Sequence, residues 1–228
     1  MALRTTRILC ALLLITGAST VQAQLLERGW TFELAMGKTT FDAQVADGDA
    51  LTRGFFDSFE LPVQSLSSTL DKKDKSFALF GGYRFNRWLS AEAGFFSLGA
   101  FRYNSSATVD DAGTPHQASF NYRYRVKGML LGGAATLPLG QYLEARVRAG
   151  FTTSSPKVSY TATVDAEAIS DSFSDSSQDF YYGAGVGVNL WEFYRIGLDF
   201  LHHGKVGKAS TTGSTDVDNV MLSIGYRY

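Results

Sequence analysis

Seven segments of this chain alternate apolar residues with small or polar ones at every second position. Trp30 to Gly37 is the first, and Phe77, Leu79, Gly81, Tyr83 and Phe85 set the second. Leu89 to Phe95, Leu143 to Phe151, Tyr182 to Leu190, Tyr194 to Phe200 and Val220 to Tyr228 follow the same rule. Period two is the pattern of a strand with one greasy face, and no helical period competes with it. An eighth segment is less regular. Phe120, Tyr122, Tyr124 and Val126 occupy one phase, whereas Met129, Leu131, Gly133, Ala135 and Leu137 occupy the other. A bulge near Val126 to Gly128 would reconcile the two.

The first residues are set apart as a leader. Arg4 and Arg7 precede the apolar stretch Ile8 to Ala18, and Val21-Gln22-Ala23 has the small residues of a cleavage site. That stretch is shorter than the roughly 20 apolar residues a spanning helix needs. Residues 1–23 are therefore expected to be a signal peptide and residues 24–228 a single domain. Cys10, which lacks a lipoprotein signal around it, leaves with the leader, so the mature chain has no thiol. The leader takes two of 21 basic residues and none of 22 acidic ones, which leaves a net charge of −3. No positive excess points to nucleic acid.

The connections alternate in length. Asn86-Arg87, Pro138 to Gln141 and Trp191 to Phe193 are tight, whereas residues 41–74, 104–118, 157–178 and 205–216 are long and polar. Short turns at one end and long loops at the other describe an all-β, eight-stranded antiparallel up-and-down transmembrane barrel.

Which face meets lipid follows from the polar one. It carries glycine at Gly183, Gly185 and Gly187, a poor water-facing surface but a good fit to a narrow lumen. The charges on it have both signs: Arg84, Glu92, Glu144, Arg146, Arg148, Arg195 and Asp199. Eight strands leave an interior just wide enough for side chains, and buried charges persist there only when paired. These seven are expected to form a lumenal network. Trp30, Tyr83, Phe85, Trp88, Trp191, Phe193, Tyr226 and Tyr228 cluster near the tight turns, where an aromatic girdle belongs.

Residues 81–95, GGYRFNRWLSAEAGF, and the end, MLSIGYRY, resemble the second hairpin and closing strand of the OmpA-type and opacity-type barrels. The resemblance implies a Gram-negative outer membrane, with outer-membrane lipid and lipopolysaccharide as surroundings. It implies that the barrel assembly machinery reads Tyr226 and Tyr228, although the commoner last residue is Phe. By the same resemblance Glu92 stands for a buried lumenal glutamate and Asp199 for an acidic residue of the penultimate strand. Ala134 replaces an interior lysine. The family's peptidoglycan-binding domain has no counterpart, so tethering to the cell wall is not expected.

No catalysis and no cofactor are expected. His202-His203 suggests a lipid A deacylase, but Gly204 and Lys205 follow, without the serine two positions on that such an enzyme uses. Both histidines read as rim residues. Asp165, Glu167, Asp171, Asp175 and Asp179 lack calcium-loop spacing and read as a flexible solvated loop. Arg123, Arg125 and Lys127 fit lipopolysaccharide phosphates or packing in the lumen or a loop. Gly54 to Pro62 fits an amphipathic turn on the membrane, a cover over the barrel mouth, or a binding surface. The expected role is structural, or interaction with host or surface ligands through the loops. A narrow pore is the first alternative, and a lipid A-modifying enzyme the second.

Overall fold

The computed structural model describes residues 28–228 apart from 192, 209 and 211. The leader and its cleavage site lie outside the described residues. In chain order the elements are β1 (Gly29–Phe41), α1 (Val45–Asp57), β2 (Val63–Asp71), β3 (Lys73–Arg84), β4 (Leu89–Asp111) and β5 (Thr114–Pro138). They continue with β6 (Leu143–Val164), β7 (Glu167–Ser174), β8 (Ser177–Leu190), β9 (Tyr194–Val206) and β10 (Thr215–Arg227).

Eight of the strands close a ring. It runs β1, β3, β4, β5, β6, β8, β9, β10 and returns to β1 through antiparallel pairs from Thr31↔Arg227 to Phe41↔Val217. Every backbone donor and acceptor on the ring then has a neighbour, the condition for crossing lipid with strands. The apolar set points outward: Leu198, Val186 and Ile224 are all exposed on the outer wall. The girdle residues are exposed too, with Trp30 edge-on to Tyr83 at 5.3 Å.

The remaining strands were not foreseen. β2 pairs with the far half of β4, and β7 pairs with the far half of β6. With β4, β5 and β6 they make a five-stranded sheet that continues beyond the ring. Residues 104–118 and 157–178, expected as loops, are therefore mostly paired strand. The β4–β5 hairpin turns on Ala112 and Gly113, both at positive φ, the geometry of a two-residue hairpin loop. The acidic segment Glu167–Ser174 is β7 itself, a paired strand where a flexible loop was expected.

The irregular phase of β5 also has a different origin. Its even residues face inward from Ala118 to Thr136 without interruption, and its odd residues face outward. What changes is the environment. Below Gly128 the outward residues are Met129, Leu131 and Leu137; above it they are Arg123, Arg125 and Lys127, with Phe120, Tyr124 and Val126 inside. The strand passes from lipid into water, and its polarity inverts while its register holds. β6 inverts at the same level, from outward Val147 and Phe151 to outward Lys157, with Val158 and Ala162 turned in. The bulge that the sequence placed in β5 lies on its neighbour. Pairing slips between Ser97 and Gly99 of β4, opposite Lys127 and Val126. Gly99 has φ +77, and a Cβ there would meet Asp74 Cβ at 2.7 Å, so glycine is required.

The raised sheet is packed as a soluble protein would be. Phe56 of α1 inserts against Tyr103, Ala107, Val109, Ala118, Phe120 and Ala162. Gly54 to Pro62, expected as an amphipathic turn on the membrane, a cover over the barrel mouth or a binding surface, is the end of α1 and a turn whose Phe55, Phe56 and Leu61 pack on this sheet.

Candidate functional site

The lumen has two layers. Toward the outer end it is filled by apolar side chains, among them Phe80, Phe96, Leu98, Leu130, Leu201 and Met221. Toward the tight turns it is filled by charge.

Glu33 and Glu144 organise the charged layer. Glu33 accepts from Arg146 Nη1 at 2.7 Å, Arg148 Nη2 at 2.9 Å and Arg195 Nη1 at 3.3 Å. Glu144 accepts from Arg195 Nε at 2.7 Å, Arg227 Nη2 at 2.7 Å and Asn189 Nδ2 at 3.0 Å. Asp199 accepts from the Ser223 hydroxyl at 2.6 Å and faces Arg195 Nη1 at 3.3 Å. Glu92 accepts from the Tyr181 hydroxyl at 3.1 Å and lies 3.6 Å from Arg148 Nε. Arg84 is buried apart from these carboxylates and donates to the Arg87 carbonyl of the adjacent turn at 2.8 Å. The seven residues nominated from sequence thus all lie inside the ring, six of them in one network. Ala134 is also buried. Two charged members were missed, Glu33 and Arg227, as were the uncharged Asn189, Ser223 and Tyr181. The two charged ones alternate with outward residues, Phe32 and Leu34 or Tyr226 and Tyr228, so strand parity would have found them.

Glycine makes room for this layer. A Cβ on Gly187 would lie 2.7 Å from Arg195 Nε, and one on Gly185 would lie 2.9 Å from Asp199 Cγ. Lumenal glycines of β8 thus give the guanidinium and carboxylate of the adjacent strand their space.

The histidines separate. His202 faces outward and bonds Asp218 Oδ1 through Nδ1 at 2.7 Å. His203 is not a rim residue as expected: it is buried in the lumen, 5.0 Å from the Phe96 ring and 6.1 Å from the Tyr181 ring. No cluster of three or more metal-ligating side chains occurs among the described residues.

Outside, a band of cations sits where polarity inverts. Lys38 is paired in register with Lys75, Arg125 with Lys157, and Arg123 with Arg102. All but Arg102 are exposed, and among the described residues Arg102 alone of the six is in an ion pair within 4 Å, with Asp74 at 3.6 Å and Asp71 at 3.8 Å. Like charges directly opposite one another are unfavourable unless an anion joins them. At the other end, Tyr226 lies on the outer wall and the Tyr228 amide donates to the Trp30 carbonyl at 2.9 Å.

Comparison with curated proteins returns no match. Among solved structures the chain is similar to Ail of Yersinia pestis, solved with the heparin analogue sucrose octasulfate, at 17% identity, TM-score 0.43, and 89% and 98% coverage of the two chains. It is similar to OprG of Pseudomonas aeruginosa at 13% identity, TM-score 0.43, and 89% and 97% coverage. The N-terminal barrel of OprF from the same organism gives 10% identity, TM-score 0.44, and 89% and 99% coverage. The family model for the outer membrane protein beta-barrel domain matches residues 8–228, and the chain belongs to that family, whose members sit in the Gram-negative outer membrane.

Proposed function

We propose that this protein is a non-conducting, non-catalytic surface barrel. It holds a folded platform above the outer leaflet and presents it to host or surface ligands. Residues 1–23 direct export, and Tyr226 and Tyr228 serve assembly. The barrel's lumenal network is structural, and its cationic band engages lipopolysaccharide phosphates.

The observation that carries this reading is the polarity inversion of β5 and β6. A strand whose outer wall is Met129 and Leu131 below and Arg125 and Lys127 above belongs to two solvents. The upper part of β5, from Thr114 to Lys127, extends roughly 45 Å along the strand at about 3.3 Å per residue. A surface that large and rigid is a scaffold for recognition. Arginine also suits phosphate, because its planar fork makes two parallel hydrogen bonds.

The test replaces Arg123, Arg125, Lys127 and Lys157 by glutamine and compares thermal unfolding in two kinds of vesicle. The variant is expected to lose stability in lipopolysaccharide-containing vesicles and to match the parent in phosphatidylcholine. Equal behaviour in both would refute the phosphate contact. Planar bilayers containing the parent are expected to stay electrically silent.

A further inference from the structure

Between the apolar lumen and helix α1 lies a chamber of about 230 Å³, separate from the charged layer below. Five aromatic rings wall it: Phe101, Tyr103, Phe120, Tyr122 and Tyr124. Three of them are held in place by their neighbours. The Tyr103 hydroxyl donates to Asp49 at 2.7 Å, the Tyr124 hydroxyl donates to the Val206 carbonyl at 2.8 Å, and Phe101 stacks on Tyr124 at 5.1 Å. The Tyr122 hydroxyl makes no hydrogen bond among the described residues. Asp42 and Asp47 line the same chamber, and neither is joined to a cation among the described residues. No lysine or arginine lines it among the described residues, although the chain places many of its cations on the outer wall at this level.

From this geometry we infer that the chamber is a binding site for a small organic cation, an amine or quaternary ammonium bearing a short apolar group. Ring faces attract a cation through their quadrupole, most strongly where water is excluded. Two exposed carboxylates at its mouth, Asp42 and Asp47, with no cation partner among the described residues, add attraction on the approach, and the aromatic surface takes the apolar part. The volume is below that of a drug-sized pocket, which limits the ligand to about a dozen heavy atoms. Helix α1 contributes Asp47, Gly48 and Leu51 to the wall. A side chain at Gly48 would strike the Tyr103 ring, so the helix approaches the sheet as closely as glycine permits.

The probe is benzyltrimethylammonium, titrated into the full-length refolded protein in detergent, with its uncharged carbon isostere neopentylbenzene as control. Calorimetry is expected to give saturable binding of the cation with a Kd on the order of 1 mM or tighter, and at least tenfold weaker binding of the isostere. D47N and Y122A are each expected to weaken the cation about tenfold, by loss of charge and of a ring face. Both variants should keep the heat-modifiable gel shift of a closed barrel. Absence of saturable binding, equal binding of the isostere, or unchanged affinity in both closed variants would overturn the assignment.

Discussion

Arg195 Nε donates to Glu144 Oε1 at 2.7 Å over Gly187 of the strand between them, and each side chain is 1% exposed. The two residues come from β9 and β6, which flank β8 in the ring, so the bond bridges that strand from inside. The tie across the interior is Glu33 of β1 to Arg146 of β6, four strands away, at 2.7 Å. A buried charge that loses its partner stays buried, because a closed barrel cannot turn it out to water. Arg195→Leu is therefore expected to destabilise the barrel by about 3–5 kcal/mol. Arg102→Ala, which breaks half-exposed pairs with Asp71 and Asp74, is expected to cost about 1 kcal/mol or less. Urea unfolding in vesicles, read by the heat-modifiable gel shift, measures both.

The outer platform has its own pH dependence. His116 Nδ1 lies 2.6 Å from Asp165 Oδ2, joining the hairpin end of β5 to the β6–β7 turn. The hydrogen bond that the ring donates to the carboxylate raises the His116 pKa above its ordinary 6.5, and the same bond lowers that of Asp165 below its ordinary 3.8. A raised histidine pKa favours the folded turn below about pH 6.5, an advantage lost as pH rises through the folded value. A depressed aspartate pKa favours it above about pH 4, an advantage lost as pH falls through the folded value. The clamp is thus strongest between these limits. Titration of the His116 ring by NMR is expected to give a pKa above 6.5 that returns toward 6.5 in Asp165→Asn. No change in that variant would contradict the pairing.

Platform and barrel are expected to separate in stability. Phe56 is 1% exposed and anchors α1 to β4, β5 and β6, far from the charged layer. Phe56→Ala removes that anchor, at a cost of about 3–5 kcal/mol for a buried phenylalanine. Trypsin added to intact cells is expected to cleave the variant at Arg53 within α1 much faster than the parent. The barrel is expected to keep its gel shift. Loss of both together would mean that the two parts fold as one unit.

The ring was legible because the membrane imposes one rule on every strand inside it, greasy residues out and small or charged residues in. That rule reaches Arg195, Glu144 and Asp199 without any motif. It reaches Glu33 and Arg227 as well, once parity is applied to the strand ends. The platform was not legible for the opposite reason. Above Gly128 water replaces lipid, so Phe120 and Tyr124 turn inward and Arg123 turns outward with no change of register. In sequence that reads as a broken strand, and the bulge invoked to mend it belongs to Gly99 on the next strand. Small residues hid β2 and β7. Val63–Asp71 and Glu167–Ser174 are rich in serine; β2 has only Val63, Leu66 and Leu70 to pack on the platform core, too few to mark a strand by period two, and β7 is exposed along its length. His203 was misplaced because a rim histidine and a lumenal one differ only in parity.

The central claim is that one uninterrupted strand crosses from hydrocarbon to water between Met129 and Lys127. Nitroxide labels at the outward positions 121, 123, 125, 127, 129, 131, 133 and 135 of β5, in protein reconstituted into vesicles, test it directly. Collision with oxygen should dominate from 129 to 135, and collision with a water-soluble nickel reagent should dominate from 127 to 121. Labels at inward positions 124 and 130 should be shielded from both. Water contact at 131 and 133, or lipid contact at 123 and 125, would contradict the account.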